Sequence, residues 1–482
     1  MCKRSKTFTR LSMATADHHN AIEKTSVIVV IVPFPVHSHS NQLLQLSALI
    51  SSYNVPVHYA GSASDNSQVR ARASHGLNLS EIHFHDFPIP PFVPHPTKIP
   101  TEKFLLPYFH AVEQLREPVG DLLRDLSTKA ERIIVIHDSI SSSAVQDVSS
   151  IKNAESYTFQ ATTAFSILCF VSLEFGSKFL PIPKEAEIVS SDNPIEIPST
   201  EGAFSYETAN FIANQQQFMR YAVGDLYNGC RLIDGAFLDH FVKNIQNNIK
   251  KAWSIGPLHQ YAKTENGIGN SINGRDKCLE WLEKQEPDSV LYISFGTTIY
   301  MADHDRQLKE LAIALERSET KFIWVFRSDA DNKKEEEILP QGFEERVKGV
   351  GMVVKDWAPQ LEILNHPSTG GFLSHCGWNS TLESISYGVP VAAWPLHSDQ
   401  PMNALFITEV LKTGVNVKEW ARRDQVVSSS EISKVLRRLM GSEEGDEIRK
   451  RAKELGAKVR SATDDGGVSR LECDSFIAHI TR

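Results

Sequence analysis

The chain has 482 residues, of which 41% are hydrophobic and 23% charged, and it carries a net charge of −9. That is a globular composition, and the length exceeds what one ordinary core organises, so two domains are expected. The acidic balance offers no basic face for nucleic acid, and no run of about 18 apolar residues is present to span a membrane.

The first stretch, "MCKRSKTFTRLSMATADHHNAIEK", is polar and has no apolar core of the kind a signal peptide needs. A transit peptide with Arg and Ser, or an extension upstream of a start at Met13, stays compatible with it; residues 1–24 are expected to be disordered. Folding is expected to begin at "SVIVVIVPFP", residues 26–35, an apolar run of strand length closed by prolines. "NQLLQLSALISS" then has helical spacing and "VPVHYAG" reads as a second strand. "RIIVIHDSISSSAVQDV", residues 132–148, repeats the pattern of buried strand, polar turn and helix. Such alternation predicts a parallel sheet covered on both faces.

Between about 172 and 215 the pattern gives way to a Pro-rich polar excursion. The Gly/Asn/Ser-rich stretch 259–276 is the linker candidate, because it has neither helical nor strand period. A second alternating series follows: "SVLYISFG", "QLKELAIALERS", "KFIWVFR", "GMVVKDW", "TGGFLSH", "STLESISYG" and "VPVAAWP". The expectation is α/β throughout, as two doubly wound Rossmann-like domains over 25–258 and 277–460. The six cysteines are scattered without a CxxC pair, which fits free thiols in a reducing cytoplasm. The glycosylation spellings at Asn78 and Asn379 carry no meaning there.

In open α/β sheets, ligands collect beyond the carboxyl ends of strands. Four polar clusters are expected there: His37-Ser38-His39, His137-Asp138, Gly296-Thr297-Thr298, and His375 to Ser380. Each alone reads as a turn; four at one edge read as a ligand cleft. In "HCGWNSTLE", Asn379 or Ser380 can cap a helix, and Ser380-x-x-Glu383 spells a capping box. That leaves His375 and Gly377 unexplained. A Gly beside a helix N-terminus suits a phosphate, because backbone N–H groups and the positive dipole end both face it. Asp303-x-Asp305 and Asp329-x-Asp331 could hold a divalent ion, yet "NKKEEEILP" follows the latter, so a solvated charged loop is the expected reading.

Trp357 to Gln400, "WAPQLEILNHPSTGGFLSHCGWNSTLESISYGVPVAAWPLHSDQ", resembles the 44-residue donor-binding signature of plant UDP-sugar-dependent family-1 glycosyltransferases. "WSIGPL", "CLEWLEKQEPDSVLYISFGT" and "LPQGFEERVKG" extend the resemblance over nearly all of residues 26–480, and "VIHDSISSSAVQD" and "LHSDQ" are most similar to the zeatin O-glucosyltransferase group. The resemblance implies a GT-B fold, two Rossmann-like domains facing across a cleft, the first binding acceptor and the second UDP-sugar. It also implies that the last helix, within 461–482, crosses back to the first domain.

By the same resemblance Trp357 would stack under uracil, with Ala358 and Gln360 at its edge, and Glu383 would accept from the ribose hydroxyls. His375, Asn379, Ser380, Thr297 and Thr298 would hold the diphosphate, and Trp378, Asp399 and Gln400 the sugar hydroxyls. In that family a Gln closing the signature goes with glucose and a His with galactose. No metal or other cofactor is expected; UDP-glucose is the donor co-substrate.

His39 falls on the family's catalytic base and Asp138 on the acid that orients it. The pair suits the chemistry, since an alcohol attacks well only as a base takes its proton. His37 is a rival for the role, although the spacing to Asn41 and Gln42 favours His39. The expected activity is inverting glucosyl transfer to a hydroxyl of a small plant metabolite, a zeatin-type cytokinin first and a flavonoid or other phenolic second. A catalytically inactive binder of UDP-sugar or hormone is the reading from another class, disfavoured because both His39 and Asp138 are present. A monomer is expected.

Overall fold

The computed structural model describes residues 25–73, 77–90, 105–180, 183, 194–246, 249–261, 276–296, 305–326, 339–355 and 357–482. The expectations for 1–24, for most of the 259–276 linker, and for Thr297, Thr298, Asp303, Asp329 and Asp331 therefore lie outside the described residues.

The first sheet contains β1 (Thr25–Val32), β2 (Val57–Ser62), β3 (Ile82–Phe87), β4 (Ala130–Asp138) and β5 (Ala154–Gln160). After a two-residue antiparallel pair, β6 (Phe179–Leu180) with β7 (Ile195–Glu196), it is completed by β8 (Gly224–Tyr227) and β9 (Lys251–Ser254). Its order is β3-β2-β1-β4-β5-β8-β9, parallel throughout. The second sheet contains β10 (Val290–Ser294), β11 (Lys321–Val325), β12 (Gly351–Val354), β13 (Thr369–Ser374), β14 (Val391–Ala393) and β15 (Gly414–Asn416), also parallel, in the order β12-β11-β10-β13-β14-β15. In both sheets the chain starts at a central strand, builds outward to one side, then crosses to the other. The strand order thus reverses between β1 and β4 and again between β10 and β13, which are the switch points where α/β sheets bind ligands.

Burial on both faces explains the unbroken apolar strands. Val27, Val29 and Ile31 of β1 enter one core with Leu43, Leu46 and Tyr59, while Ile28, Val30 and Val32 enter another with Val112, Leu115 and Val119. Each such side chain contributes roughly 1.5–3 kcal/mol, so a charge at Val30 would unfold the domain.

Two local expectations change. The segment after β4 is a serine-rich 3-10 stretch, Ser139–Ser150, and not an α-helix; Ile140 and Ser141 leave helical geometry, and the Asp138 side chain accepts from the Ile140 amide. The excursion after 172 contains a real helix, Tyr206–Met219, whose Phe211 stacks on Phe109 at 4.0 Å.

The last helix, Val468–Ile480, packs on the first domain: Cys473, Phe476 and Ile480 join the β1 core. The Tyr53 hydroxyl donates to Asp474 at 2.5 Å and Arg132 to the Ile480 carbonyl at 2.9 Å. Among the described residues, no helix is long and apolar enough to cross a membrane.

Candidate active site

At the first switch point, β1 runs through Phe34 into the helix His37–Ser51, which places His39 in that helix's first turn. β4 ends in Asp138, which is fully buried. Asp138 Oδ2 lies 2.8 Å from His39 Nδ1, and its Oδ1 accepts the Ile140 amide at 3.0 Å. With Nδ1–H donating to the carboxylate, Nε2 is left as the acceptor. The edge of the His39 ring is held by Phe34, T-shaped at 5.3 Å, and 26% of its side chain reaches solvent. Burial pulls the His39 pKa down, but the charge and hydrogen bond of Asp138, with the charge of Asp399, outweigh it and leave the pKa above 6.5.

The carboxylate thus orients the His39 ring. His137, next to Asp138, is buried, bonds the Asp138 carbonyl through Nδ1 at 3.0 Å, and is pushed down to about 4 by burial, so it is a neutral structural histidine.

At the second switch point, β13 delivers His375 and Cys376 to the helix Trp378–Tyr387. The capping box expected at Ser380 and Glu383 is not formed. Gly377 is the N-cap and no side chain caps the turn, so its first N–H groups are available to an anion. Ser380 Oγ and Glu383 Oε2 instead accept from one amide group, Gln360 Nε2, at 3.1 and 2.6 Å. Burial, opposed by the Gln360 bond and aided by Glu362, raises the Glu383 pKa to about 7.

His375 wedges between two glycines. A Cβ on Gly296 or Gly377 would lie 2.7 or 2.5 Å from its Nε2, so neither position admits a side chain without moving the ring. Its pKa falls to about 3 through burial and the charge of His397, which keeps the ring neutral. Cys376 is held at φ +64°, a left-handed conformation that costs a non-glycine residue about 1 kcal/mol and turns the chain sharply into the helix. At the far end Gly388, φ +71°, stops the helix, and a side chain there would strike Lys453 Cα at 2.8 Å.

Trp357 is 67% exposed, an unusual setting for an indole and a ready stacking surface, with Ala358 buried beside it. Four expected sugar and phosphate ligands are partly committed elsewhere. The Trp378 indole, 3% exposed, donates to the Asn228 carbonyl at 2.7 Å, which leaves the backbone N–H of Trp378 as the donor that could meet a sugar. Asn379 Nδ2 donates across the domain boundary to the Ser38 carbonyl at 2.7 Å. Gln400 Oε1 accepts the Leu396 and His397 amides at 2.9 and 3.1 Å, and its NH2, 3.4 and 3.5 Å from the His397 ring nitrogens, is the part that could also face a ligand. Asp399 Oδ2 accepts from Thr162 at 2.6 Å and Asn403 at 3.0 Å.

Among the described residues no three His, Cys, Asp or Glu side chains are grouped to hold a metal ion, and Asp305 opens the helix Asp305–Ser318.

Sequence reasoning left Asn228 out and used Gln42 only as a spacing marker. Asn228 directly follows β8, and Thr162, which bonds Asp399, lies two residues past β5, so the rule that pointed to the other clusters reaches both. Gln42 carried no signal beyond being polar on a buried helical face.

Residues 25–260 match the family model for the glycosyltransferase N-terminal domain, and 271–443 that for UDP-glucoronosyl and UDP-glucosyl transferase. A zeatin O-glucosyltransferase from Phaseolus lunatus is 46% identical over 95% of this chain and 98% of its own. A zeatin O-xylosyltransferase from Phaseolus vulgaris is 45% identical over 95% and 99%. A crystal structure of a UGT transferase from Siraitia grosvenorii in complex with UDP superposes with a TM-score of 0.76 and 27% identity, covering 95% of this chain and all of that one. Two parallel sheets with matching switch points and a donor signature at the second therefore have one reading: the chain belongs to the UDP-glycosyltransferase family, enzymes of the GT-B fold.

Proposed function

We propose that the chain transfers glucose from UDP-glucose, with inversion, to a side-chain hydroxyl of a zeatin-type cytokinin. The zeatin acceptor rests on the 46% and 45% identities to the two zeatin enzymes. The observation that carries the catalytic part is the Asn379–Ser38 bond. It ties the helix N-terminus that offers N–H groups to an anion to the residue just before the His39–Asp138 pair.

In this reading His39 Nε2 takes the acceptor hydroxyl proton as the oxygen attacks the anomeric carbon. The bond from that carbon to the β-phosphate oxygen breaks, its electron pair leaves with UDP, and an α-linked donor becomes a β-glucoside. Asp138 holds the imidazole's tautomer and stabilises the imidazolium. A positioned base of this kind contributes about 10²–10⁴-fold. Trp357 stacks on uracil, Ala358 and Gln360 flank it, and Glu383 accepts from the ribose. The close approach at Gly296 and Gly377, the free N–H groups of the helix Trp378–Tyr387, and the side chains of Thr297, Thr298, His375, Asn379 and Ser380 receive the diphosphate without a metal. The Trp378 backbone N–H, Asp399 and the Gln400 NH2 meet the sugar. The chain works as a monomer in the cytoplasm, and the five described cysteines, buried free thiols, are in keeping with that reducing compartment.

The similarity to a xylosyltransferase supports a second reading, with UDP-xylose as donor. The test is to incubate the purified chain with each donor and with trans-zeatin, cis-zeatin and a flavonoid panel, then read product mass, linkage and anomeric configuration. A β-O-glucoside of zeatin is the expected product. A xyloside would favour the second reading, transfer only to flavonoids would move the acceptor, and UDP binding without transfer would leave a binder.

A further inference from the structure

Two buried amides that the proposed chemistry does not use connect the base to the donor helix. Gln42 and Asn228 are 2% and 3% exposed. Gln42 Nε2 donates to the Ser38 carbonyl at 3.1 Å, and its Oε1 accepts from Asn228 Nδ2 at 2.9 Å. Asn228 Oδ1 accepts the Leu258 amide at 3.0 Å, and the Asn228 carbonyl accepts the Trp378 indole N–H at 2.7 Å. Asn379, the next residue along, returns to Ser38 at 2.7 Å. The bonds close a ring, Ser38–Gln42–Asn228–Trp378–Asn379, that crosses between the two domains twice.

The residue types fit a ring of fixed direction. Gln42 has to donate at one end and accept at the other, which an amide does and neither a carboxylate nor a hydrocarbon can. Both acceptor sites of the Ser38 carbonyl are filled, one by the first domain and one by the second. His39 is bonded through the peptide to that carbonyl, so the ring sets where the imidazole sits relative to Asp138 and to the helix N-terminus. Gly256 closes the Asn228 side, because a Cβ there would lie 2.3 Å from Asn228 Oδ1.

We propose that Gln42 and Asn228 are positioning residues that lock the catalytic-histidine turn to the donor-binding helix, so that the placement of His39 depends on the second domain. This rests on the reading of His39 as the base.

The test compares wild type, His39→Ala, Gln42→Leu, Gln42→Glu and Asn228→Asp with UDP-glucose and an acceptor turned over by the wild type. Gln42→Glu still accepts from Asn228 but cannot donate to Ser38; Asn228→Asp still accepts from Leu258 but cannot donate to Gln42. Each is expected to lower kcat by about 10-fold or more, the scale on which a small misplacement acts, with KM for UDP-glucose within about threefold. The acid limb of kcat/KM should move to lower pH as the His39–Asp138 bond loosens. A purely structural role would lower Tm and the fraction of UDP-binding sites while leaving kcat per UDP-binding site and the acid limb in place; that result overturns the proposal. Independently of any variant, amide exchange in the turn His37–Gln42 of the wild-type chain should slow when UDP is added. No change there would overturn the proposal even if every variant failed to fold. If His39→Ala keeps its turnover, the base assignment fails; if it is inactive while the Gln42 and Asn228 variants match wild type, the ring alone fails.

Discussion

Asp138 Oδ2 stands 2.8 Å from His39 Nδ1, and the other oxygen of the same carboxylate is pinned by the Ile140 amide at 3.0 Å. Neither side chain can rotate without breaking a bond inside the protein, so the imidazole presents Nε2 in one orientation. His39→Ala is expected to lose at least about 10²-fold in turnover. UDP affinity should hold within a few-fold, because the proposed nucleotide contacts lie in the other domain. Asp138→Ala should cost less than His39→Ala, since Asp138 orients the base without accepting the proton. Steady-state transfer and UDP calorimetry check both; a His39→Ala enzyme with most of its turnover would shift attention to His37.

The raised pKa of His39 gives a pH dependence with a definite sign. A base works deprotonated, so kcat/KM should rise with pH along a limb above 6.5. In Asp138→Asn the main opposing charge is gone and burial prevails, so the limb should move down. Stability follows the same linkage: a folded pKa above the unfolded one stabilises below about 6.5 and the effect fades as pH rises through the folded value. The Tm deficit of Asp138→Asn should therefore be larger at pH 6 than at pH 8. Equal deficits would mean that the pair is not ionic in the folded chain.

Much of this architecture was legible in local pattern. "VIVVIV" and "LYIS" could only be doubly buried strands, and the polar residues after them had to lie at a carboxyl edge. What stayed hidden were contacts between residues far apart in the chain. Trp378 and Asn228 are 150 positions apart, and Asn379 and Ser38 are 341 apart. No periodicity encodes such pairs, so the sequence did not show that the Trp378 indole turns to the other domain and leaves the backbone N–H for a ligand. The Ser380-x-x-Glu383 spelling misled for a related reason. The helix begins three residues earlier, with Gly377 as its N-cap, so Ser380 and Glu383 lie inside it, and their side chains accept from Gln360, 20 positions upstream of Ser380.

Glu383 offers a separate pH readout in the donor half. With its pKa raised to about 7, Glu383 would accept ribose hydroxyls through both oxygens only once ionised, because protonation turns one of them into a donor. UDP affinity should fall several-fold as pH drops from 7.5 to 6, with proton release on binding below pH 7. Glu383→Gln should bind UDP more weakly at neutral pH and lose that dependence. Calorimetry in two buffers of different ionisation enthalpy measures both, and a pH-independent wild-type affinity would remove Glu383 from the nucleotide site.

Metal independence is tested by removal. Transfer should survive excess EDTA, and the double variant Asp329→Asn with Asp331→Asn should match wild type. Loss of activity restored by Mg²⁺ or Mn²⁺ would show that a cation, and not the helix N-terminus, neutralises the diphosphate.

The donor sugar is read by a site whose polarity the fold has already divided. Gln400 Oε1 is occupied by the Leu396 and His397 amides, so toward a sugar Gln400 can only donate, through an NH2 whose other neighbour is the His397 ring at 3.4 Å. Asp399 Oδ2 is occupied by Thr162 and Asn403, which leaves Oδ1 to accept. A donor and an acceptor side by side suit an equatorial 4-hydroxyl, which can take one bond and give another; an axial 4-hydroxyl leaves one of them unpaired. One lost buried hydrogen bond of about 1.5 kcal/mol corresponds to roughly 10-fold, so UDP-glucose should exceed UDP-galactose by about that factor or more in kcat/KM. UDP-xylose keeps the equatorial 4-hydroxyl and lacks only the hydroxymethyl group, so it should fall between them. Gln400→Glu separates the two roles of the residue. Its carboxylate still accepts the Leu396 and His397 amides, which keeps the loop in place, but it has no N–H to give the sugar. The glucose preference should then shrink while UDP affinity stays near wild type. If glucose and galactose are used equally by the wild-type chain, or if Gln400→Glu discriminates as well as wild type, the 4-hydroxyl is read by some other group.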